Sequence, residues 1–264
     1  MSIHSGHNSP ARLRRLVRTV LTYHARYGRH TLPWRQTTDP YKILVSEVML
    51  QQTQVDRVIP YYERFIKRFP SLQTLAKAEL KEVLVLWSGL GYNRRAKMLH
   101  EAAKEVVQKF NCKLPRTRAE LESLRGVGPY TAGAILVFAY NDPEVLIETN
   151  IRSVLIHELF PTSRSVSDKR LMSVLDLLIA KTKSPREWYA ALMDYGSFLK
   201  QKYPNPSRKS KHHTKQSRFE GSLRQVRGAI LRAQTQGESL ALIRKKFPDK
   251  FEEARSRLKA EGMI

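Results

Sequence analysis

From residue 11 onward the apolar positions recur at spacings of three and four. Leu13, Leu16, Val17, Val20 and Leu21 share one face of a basic stretch over 11–27, which predicts an amphipathic helix. After the turn-like TLPWRQTTDPY comes an apolar helix, then PYYERFIKRF. Leu72, Leu75, Leu80, Val83, Leu84 and Leu86 predict a helical run over 72–86. The glycines of SGLGYN, 88–93, break the chain, and Ala96, Leu99, Ala102, Ala103, Val106 and Phe110 restart a long helix. Thr117 with Glu120, and Ser184-Pro185 with Glu187, read as capping boxes. Between them lie a turn at 124–130 and helices near 129–140, 150–160 and 168–181. Strand patterns are sparse and no repeat of fixed period recurs. The pattern predicts an all-α protein.

The pattern changes after residue 202. YPNPSRKSKHHTKQSRFEGS is polar, basic and helix-breaking, which predicts a linker over 203–221 after a main domain spanning 11–202. From 222 to 264 helical spacing returns at Val226, Ile230, Leu231, Leu240, Ile243, Phe247 and Phe251, so a small helical C-terminal module is expected. The alternative is a solvated, partly disordered tail. His212 and His213 stand adjacent in the linker without partner ligands and are read as solvated.

Charge sharpens this picture. Among 264 residues, 47 Lys and Arg oppose 24 Asp and Glu, leaving +23, and +11 of that falls within 200–264. A polyanionic partner is expected, nucleic acid before anionic membrane. The single cysteine, Cys112, excludes an intramolecular disulfide, a cysteine-ligated zinc site and a four-cysteine iron–sulfur cluster. No stretch reaches the ~18 apolar residues of a membrane span. The N-terminus lacks an apolar secretory h-region. An intracellular, cytoplasmic protein is expected, nucleoid-associated if prokaryotic, and monomeric.

Two segments carry candidate chemistry. In VSEVMLQQTQ, Glu47 has Ile43, Leu44 and Leu50 as its i−4, i−3 and i+3 neighbours. A carboxylate there is poorly solvated and its pKa is pushed upward. The bland alternative is a rotated helix with Glu47 exposed or salt-bridged. In LESLRGVGPYTAGAI, Gly126-Val127-Gly128 makes a tight turn and Pro129 opens the next helix. Backbone N–H groups at that helix N-terminus suit a phosphate, although many such hairpins are only structural.

Taken together, PYKILVSEVMLQQTQVDRVIPYYERF, LWSGLGYNRRA and LRGVGPYTAGAI resemble the helix-hairpin-helix DNA glycosylase superfamily, nearest its A/G-mismatch, MutY-type adenine glycosylase branch. The resemblance runs from about residue 13 to 200. It implies a two-lobed helical fold with DNA in the cleft: a six-helix barrel module, and a lobe from the N-terminal helix plus the helices after about 146. It further implies double-stranded DNA carrying a mispaired adenine as partner, with the adenine flipped out for removal.

Residue roles follow from the same resemblance. Glu47 matches the acid that protonates adenine, and its desolvated helix face suits an acid that holds its proton near neutral pH. Glu148 stands where the family has an aspartate, to stabilise the positive charge on the sugar, and Asn150 matches beside it. Tyr130 replaces the Schiff-base lysine of strand-cutting relatives, so hydrolysis without lyase activity is expected. Gln52 and Tyr92 match residues that wedge into the duplex. Gln51, Arg94, Arg95, Gly126, Val127, Gly128 and Thr131 are the further DNA-contact candidates. Trp34 and Arg35 match an adenine-pocket segment, with a plain core role equally open for Trp34.

The chain departs from the family in three places. Glu148-Thr149-Asn150 stands in place of an Asp-Gly-Asn segment. The cluster cysteines that follow about position 195 are missing, so no metal or cofactor is expected, although a monovalent cation at the hairpin is compatible. The 62 residues over 203–264 are too few and too helical for the family's oxidised-guanine recognition domain. A thymine or uracil mismatch glycosylase on the same scaffold, and a non-catalytic helical DNA-binding protein, are the alternative functions.

Overall fold

The computed structural model describes residues 9–212 and 218–264. In chain order its helices are α1 (Pro10–Tyr27), α2 (Pro40–Leu50), α3 (Val55–Arg68), α4 (Leu72–Lys77), α5 (Leu80–Trp87), α6 (Arg94–Lys109) and α7 (Arg118–Ser123). Then follow α8 (Pro129–Tyr140), α9 (Thr149–Leu159), α10 (Asp168–Ile179), α11 (Pro185–Lys202), α12 (Leu223–Gln236), α13 (Ala241–Lys246) and α14 (Pro248–Ala260). Extended pairing among the described residues is limited to one isolated bridge, Val166 to Ser210. The all-α reading holds.

Several helices start where a side chain takes up unpaired N–H groups. Ser9 caps α1, Asp39 caps α2, and Ser222 caps α12. Of the two expected capping boxes, only the hydroxyl half forms. Thr117 accepts from the Glu120 N–H at 3.3 Å, but the Glu120 carboxylate returns to the Thr117 hydroxyl at 2.5 Å rather than to backbone. Ser184 accepts from the Glu187 N–H at 3.3 Å. A reciprocal box forms instead at Ser71 and Thr74. The predicted run over 72–86 is two helices: Ala78 and Glu79 both turn extended between them, ending α4 and starting α5.

Two compact units emerge, 9–38 with 129–212 and Asp39–Gly128 with 218–264. The first has a continuous apolar core from Leu16 and Val20 of α1, Ala134 and Val137 of α8, and the buried faces of α9, α10 and α11. Thus α8 packs with the terminal helices, whereas the resemblance placed only helices after about 146 there. Gly196 of α11 lets that helix approach α9 closely: a Cβ there would sit 2.4 Å from the Asn150 carbonyl oxygen.

The expected linker and separate tail module are also revised. Over 206–211 the chain folds onto the first unit. Pro206 and Ser207 are buried, and Val166 pairs with Lys209 and Lys211 through bonds of 2.9 and 3.0 Å. His213 lies outside the described residues, and the His212 N–H donates to Ser210 at 3.1 Å. The tail is part of the second unit: α12 packs on α5, and Arg227 makes a forked pair with Glu261 at 2.8 and 2.6 Å. Buried Val226, Ile230, Leu231, Phe251 and Leu258 give it an apolar core contact, which a solvated tail would lack.

Candidate active site

In the second unit, Glu47 sits in the third turn of α2 and is only 8% exposed. Ile43 through Met49 are all buried around it. The helix is therefore not rotated to place this carboxylate in solvent.

Both ends of α2 are fixed. At the start, Asp39 accepts from the Tyr41 N–H at 2.9 Å, and the Tyr41 hydroxyl donates to the Phe69 carbonyl at 2.7 Å. Beyond the last turn, Arg95 of α6 donates to the carbonyls of Val48, Met49 and Gln51 at 2.8, 2.9 and 2.6 Å. Such a terminus otherwise leaves four carbonyls without helical partners. Arg95 also reaches the Thr53 hydroxyl at 3.2 Å and the Gly91 carbonyl at 3.0 Å. It is buried, and desolvation lowers its pKa to about 10. This corrects the expectation of a DNA contact: the guanidinium is committed to ordering α2 and the loop before α6.

The turn after α2 places Gln52 exposed, with φ 55°, and Tyr92 has φ 51° at the end of the glycine loop. Side-chain-bearing residues occupy this left-handed region at a cost, so both conformations are imposed by their surroundings. Arg94 is exposed at the start of α6, and Gln51 is half-buried. In the hairpin, Gly126 takes φ 75°, and a Cβ there would lie 2.7 Å from Met98. Val127 is buried beneath the turn while Gly126 and Gly128 stay exposed, which turns the backbone outward. A small cavity beside this turn is lined by Leu44, Val48, Met98, Leu99, Ala102 and Val127, among others.

In the first unit, Glu148 is the N-cap of α9. One carboxylate oxygen accepts from the Asn150 and Ile151 N–H groups at 2.7 and 2.9 Å, and the other accepts from the Asn150 side-chain amide at 3.2 Å. Glutamate is uncommon in this position, yet its extended backbone, φ −142° and ψ −178°, lets the longer side chain fold back over the helix start. The Lys200 ammonium lies within electrostatic reach; burial lowers its pKa, and the Glu148 charge partly opposes that. Tyr130 is half-buried against this unit's core. Thr131 is buried, at 3% exposure, so its side chain does not present the surface expected of a DNA contact.

Arg35 is a third correction, after Arg95 and Thr131. Its guanidinium forks onto Asp194 at 2.7 and 3.0 Å, and donates to the Ala190 carbonyl at 3.2 Å. Arg29 and His24 share the same carboxylate at 2.6 and 2.9 Å. Arg35 is thereby held in an ion cluster, and Trp34 beside it is buried. The donor chemistry does not fit an iron–sulfur cluster. The one cysteine, Cys112, follows α6, and the segment after α11 offers the buried serines 207 and 210 in hydrogen bonds. Among the described residues no group of three His, Cys, Asp or Glu is placed to hold a metal, and no helix is long and apolar enough to cross a membrane.

Sequence reasoning missed Arg224. In α12 its guanidinium lies 5.0 Å from the Tyr92 ring centroid and donates to the Tyr92 hydroxyl. No local signal could join residues 132 apart.

Residues 45–192 match the HhH-GPD superfamily of base excision DNA repair proteins. The chain is 50% identical over 138 residues to an adenine DNA glycosylase of Buchnera aphidicola subsp. Baizongia pistaciae, covering 52% of this chain and 39% of the relative. It is 37% identical over 172 residues to that of Mycolicibacterium smegmatis, covering 65% and 59%. It is 40% identical over 179 residues to that of Mus musculus, covering 63% and 34%. The matched segments thus span between about a third and three fifths of these curated relatives. Among solved structures, a thermostable thymine-DNA glycosylase has a TM-score of 0.61 at 25% identity, covering 71% of this chain and 87% of that one. An endonuclease III trapped on DNA has a TM-score of 0.56 at 17% identity, covering 79% and 90%, a likeness of fold.

Proposed function

The chain belongs to the HhH-GPD superfamily of base excision DNA repair proteins, and from that membership we propose that it hydrolytically removes adenine mispaired with guanine or oxidised guanine. The observation that carries the proposal is Glu47: a glutamate 8% exposed on an apolar helix, inside the matched segment. The names of the relatives favour adenine over a pyrimidine.

In the proposed reaction the adenine is extruded from the duplex, with Gln52 and Tyr92 entering the stack as it leaves. Glu47 donates a proton to the purine ring, which turns adenine into a neutral leaving group as the glycosidic C–N bond breaks. The sugar then carries oxocarbenium-like charge, and the Glu148 carboxylate stabilises it, with Asn150 fixing the carboxylate. Water adds at C1′, its proton passing to the Glu47 carboxylate left by the first step, and leaves an abasic site in an intact strand. The exposed turn Gly126–Gly128 and Arg94 bind phosphate oxygens.

The test is a panel of duplexes carrying A, T or U opposite G or 8-oxoguanine, assayed for released base. Release confined to adenine supports the reading. Release of thymine or uracil instead would reassign the substrate, and binding without release would leave a DNA-binding protein. Glu47→Gln should cost ~10²–10⁴-fold in single-turnover release while mismatch affinity changes little, because shape is kept and the proton is lost. Retention of more than about a tenth of the rate would remove Glu47 from the acid's role.

A further inference from the structure

The C-terminal tail does more in this fold than add charge. Tyr92 is held with φ 51° at the end of the glycine loop, and two guanidinium groups approach its ring. Arg95, 5.4 Å from the centroid, is locked by the α2 and loop carbonyls described above, and its Nε donates to the Tyr92 carbonyl at 3.4 Å. Arg224, 5.0 Å from the centroid, comes from α12 and also donates to the tyrosine hydroxyl. The first contact fixes the backbone end of Tyr92, and the second fixes the far end of its ring.

Arg224 is itself held. Its guanidinium lies 5.5 Å from the Phe219 ring. Just before it, the Gly221 N–H donates to the Gln225 side chain at 2.7 Å and Ser222 caps the helix. One turn on, Arg227 is forked onto Glu261, whose carbonyl accepts from Lys97 of α6. The tail is therefore tied to α6, the helix that follows Tyr92 in the chain. Ordering a tyrosine before DNA arrives reduces the conformational entropy lost on binding. A planar, permanently charged guanidinium can stack on the ring and bond its hydroxyl at once, which lysine cannot do.

We propose that Arg224 is a positioning residue for Tyr92, and that α12 is thereby part of the base-extrusion apparatus. The inference rests on the adenine-glycosylase reading, in which Tyr92 enters the stack. It assigns the tail a role in recognising the lesion, beyond attracting phosphates.

The experiment uses the full chain on a duplex with adenine opposite 8-oxoguanine and 2-aminopurine beside the adenine. It reads single-turnover release at saturating protein, 2-aminopurine fluorescence on binding, and the salt slope of affinity. Arg224→Ala should lower both the fluorescence change and the release rate, about ten- to a hundredfold for the latter, the scale of a misplaced reacting group. Arg224→Lys should fail to restore them. In a Tyr92→Ala background, Arg224→Ala should cost no more than about a further twofold, because the two act as one unit. Additive losses would overturn the proposal. So would a loss confined to affinity with the salt slope flattened by roughly one, the mark of a lone phosphate contact. A lowered thermal midpoint with unchanged fluorescence and release would make Arg224 merely structural. If wild type releases no adenine, the adenine reading fails; the fluorescence arm, which needs only binding, still decides whether Arg224 acts through Tyr92.

Discussion

Arg95 donates a 2.6 Å hydrogen bond to the backbone carbonyl of Gln51, the residue that ends the helix carrying Glu47. The same guanidinium reaches Val48 and Met49, so one buried side chain closes the end of that helix. Arg95→Leu should leave these carbonyls without donors and cost about 3–5 kcal/mol, the scale of breaking a buried charged network. Urea unfolding at fixed pH measures it. Because Arg95 is committed internally, Arg95→Lys should lower stability while leaving the salt slope of DNA binding within roughly half a unit of wild type. A slope flattened by a full unit would return Arg95 to the phosphate contacts.

Glu148 combines an observed role, the cap of α9, with a proposed one, charge stabiliser, and substitutions can separate them. Glu148→Ala should cost about 1 kcal/mol through the lost cap. Glu148→Gln keeps an acceptor for the N–H groups but loses the charge, so it should lose release by about 10²-fold or more with little change in thermal midpoint. Glu148→Asp retains both and should stay active. Near-wild-type release by the glutamine variant would move the stabilising carboxylate elsewhere.

Tyr130 carries no amine, so the product should be an abasic site in an intact strand that breaks only on alkali. Denaturing gels before and after base treatment check this. A covalent protein–DNA adduct trapped by borohydride would point to a lysine acting as nucleophile.

The Asp194 cluster predicts an acid limb in stability. Burial alone would raise this carboxyl's pKa, but Arg35 and then Arg29 outweigh it and hold the group at about 2. A depressed carboxylate contributes stability that is whole above its ordinary value of 3.8 and is lost as pH falls from there toward 2. His24 acts in the same sense at higher pH. Burial, opposed by its bond to Asp194, lowers its pKa below 6.5, so that contribution shrinks as pH falls below 6.5. Stability should therefore rise with pH through both windows, as read by denaturant midpoints. Asp194→Asn should remove the lower limb and cost about 3–5 kcal/mol by stranding the cations.

The sequence by itself determined what depends on neighbours along the chain. Apolar spacing set out amphipathic helices such as α1 and α6, because a 3.6-residue period is a local property. The Gly126-Val127-Gly128 turn was legible because it too is local, as was the apolar setting of Glu47: Ile43 and Leu44, four and three residues before it, are buried with it. Basic side chains look alike in a sequence: Arg94 and Arg95 both read as DNA contacts, Arg35 as part of a pocket segment, and Arg224 stood out from the other basic residues of the tail in no way. Only tertiary packing separated them. Arg95 found the bare carbonyls at the end of α2, Arg35 found Asp194, and Arg224 found Tyr92, while Arg94 stayed in solvent. The tail likewise read as a separate module because its period was visible and its docking was not. What buries a cation is the set of acceptors that distant segments bring to it, and that set exists only once the chain is folded.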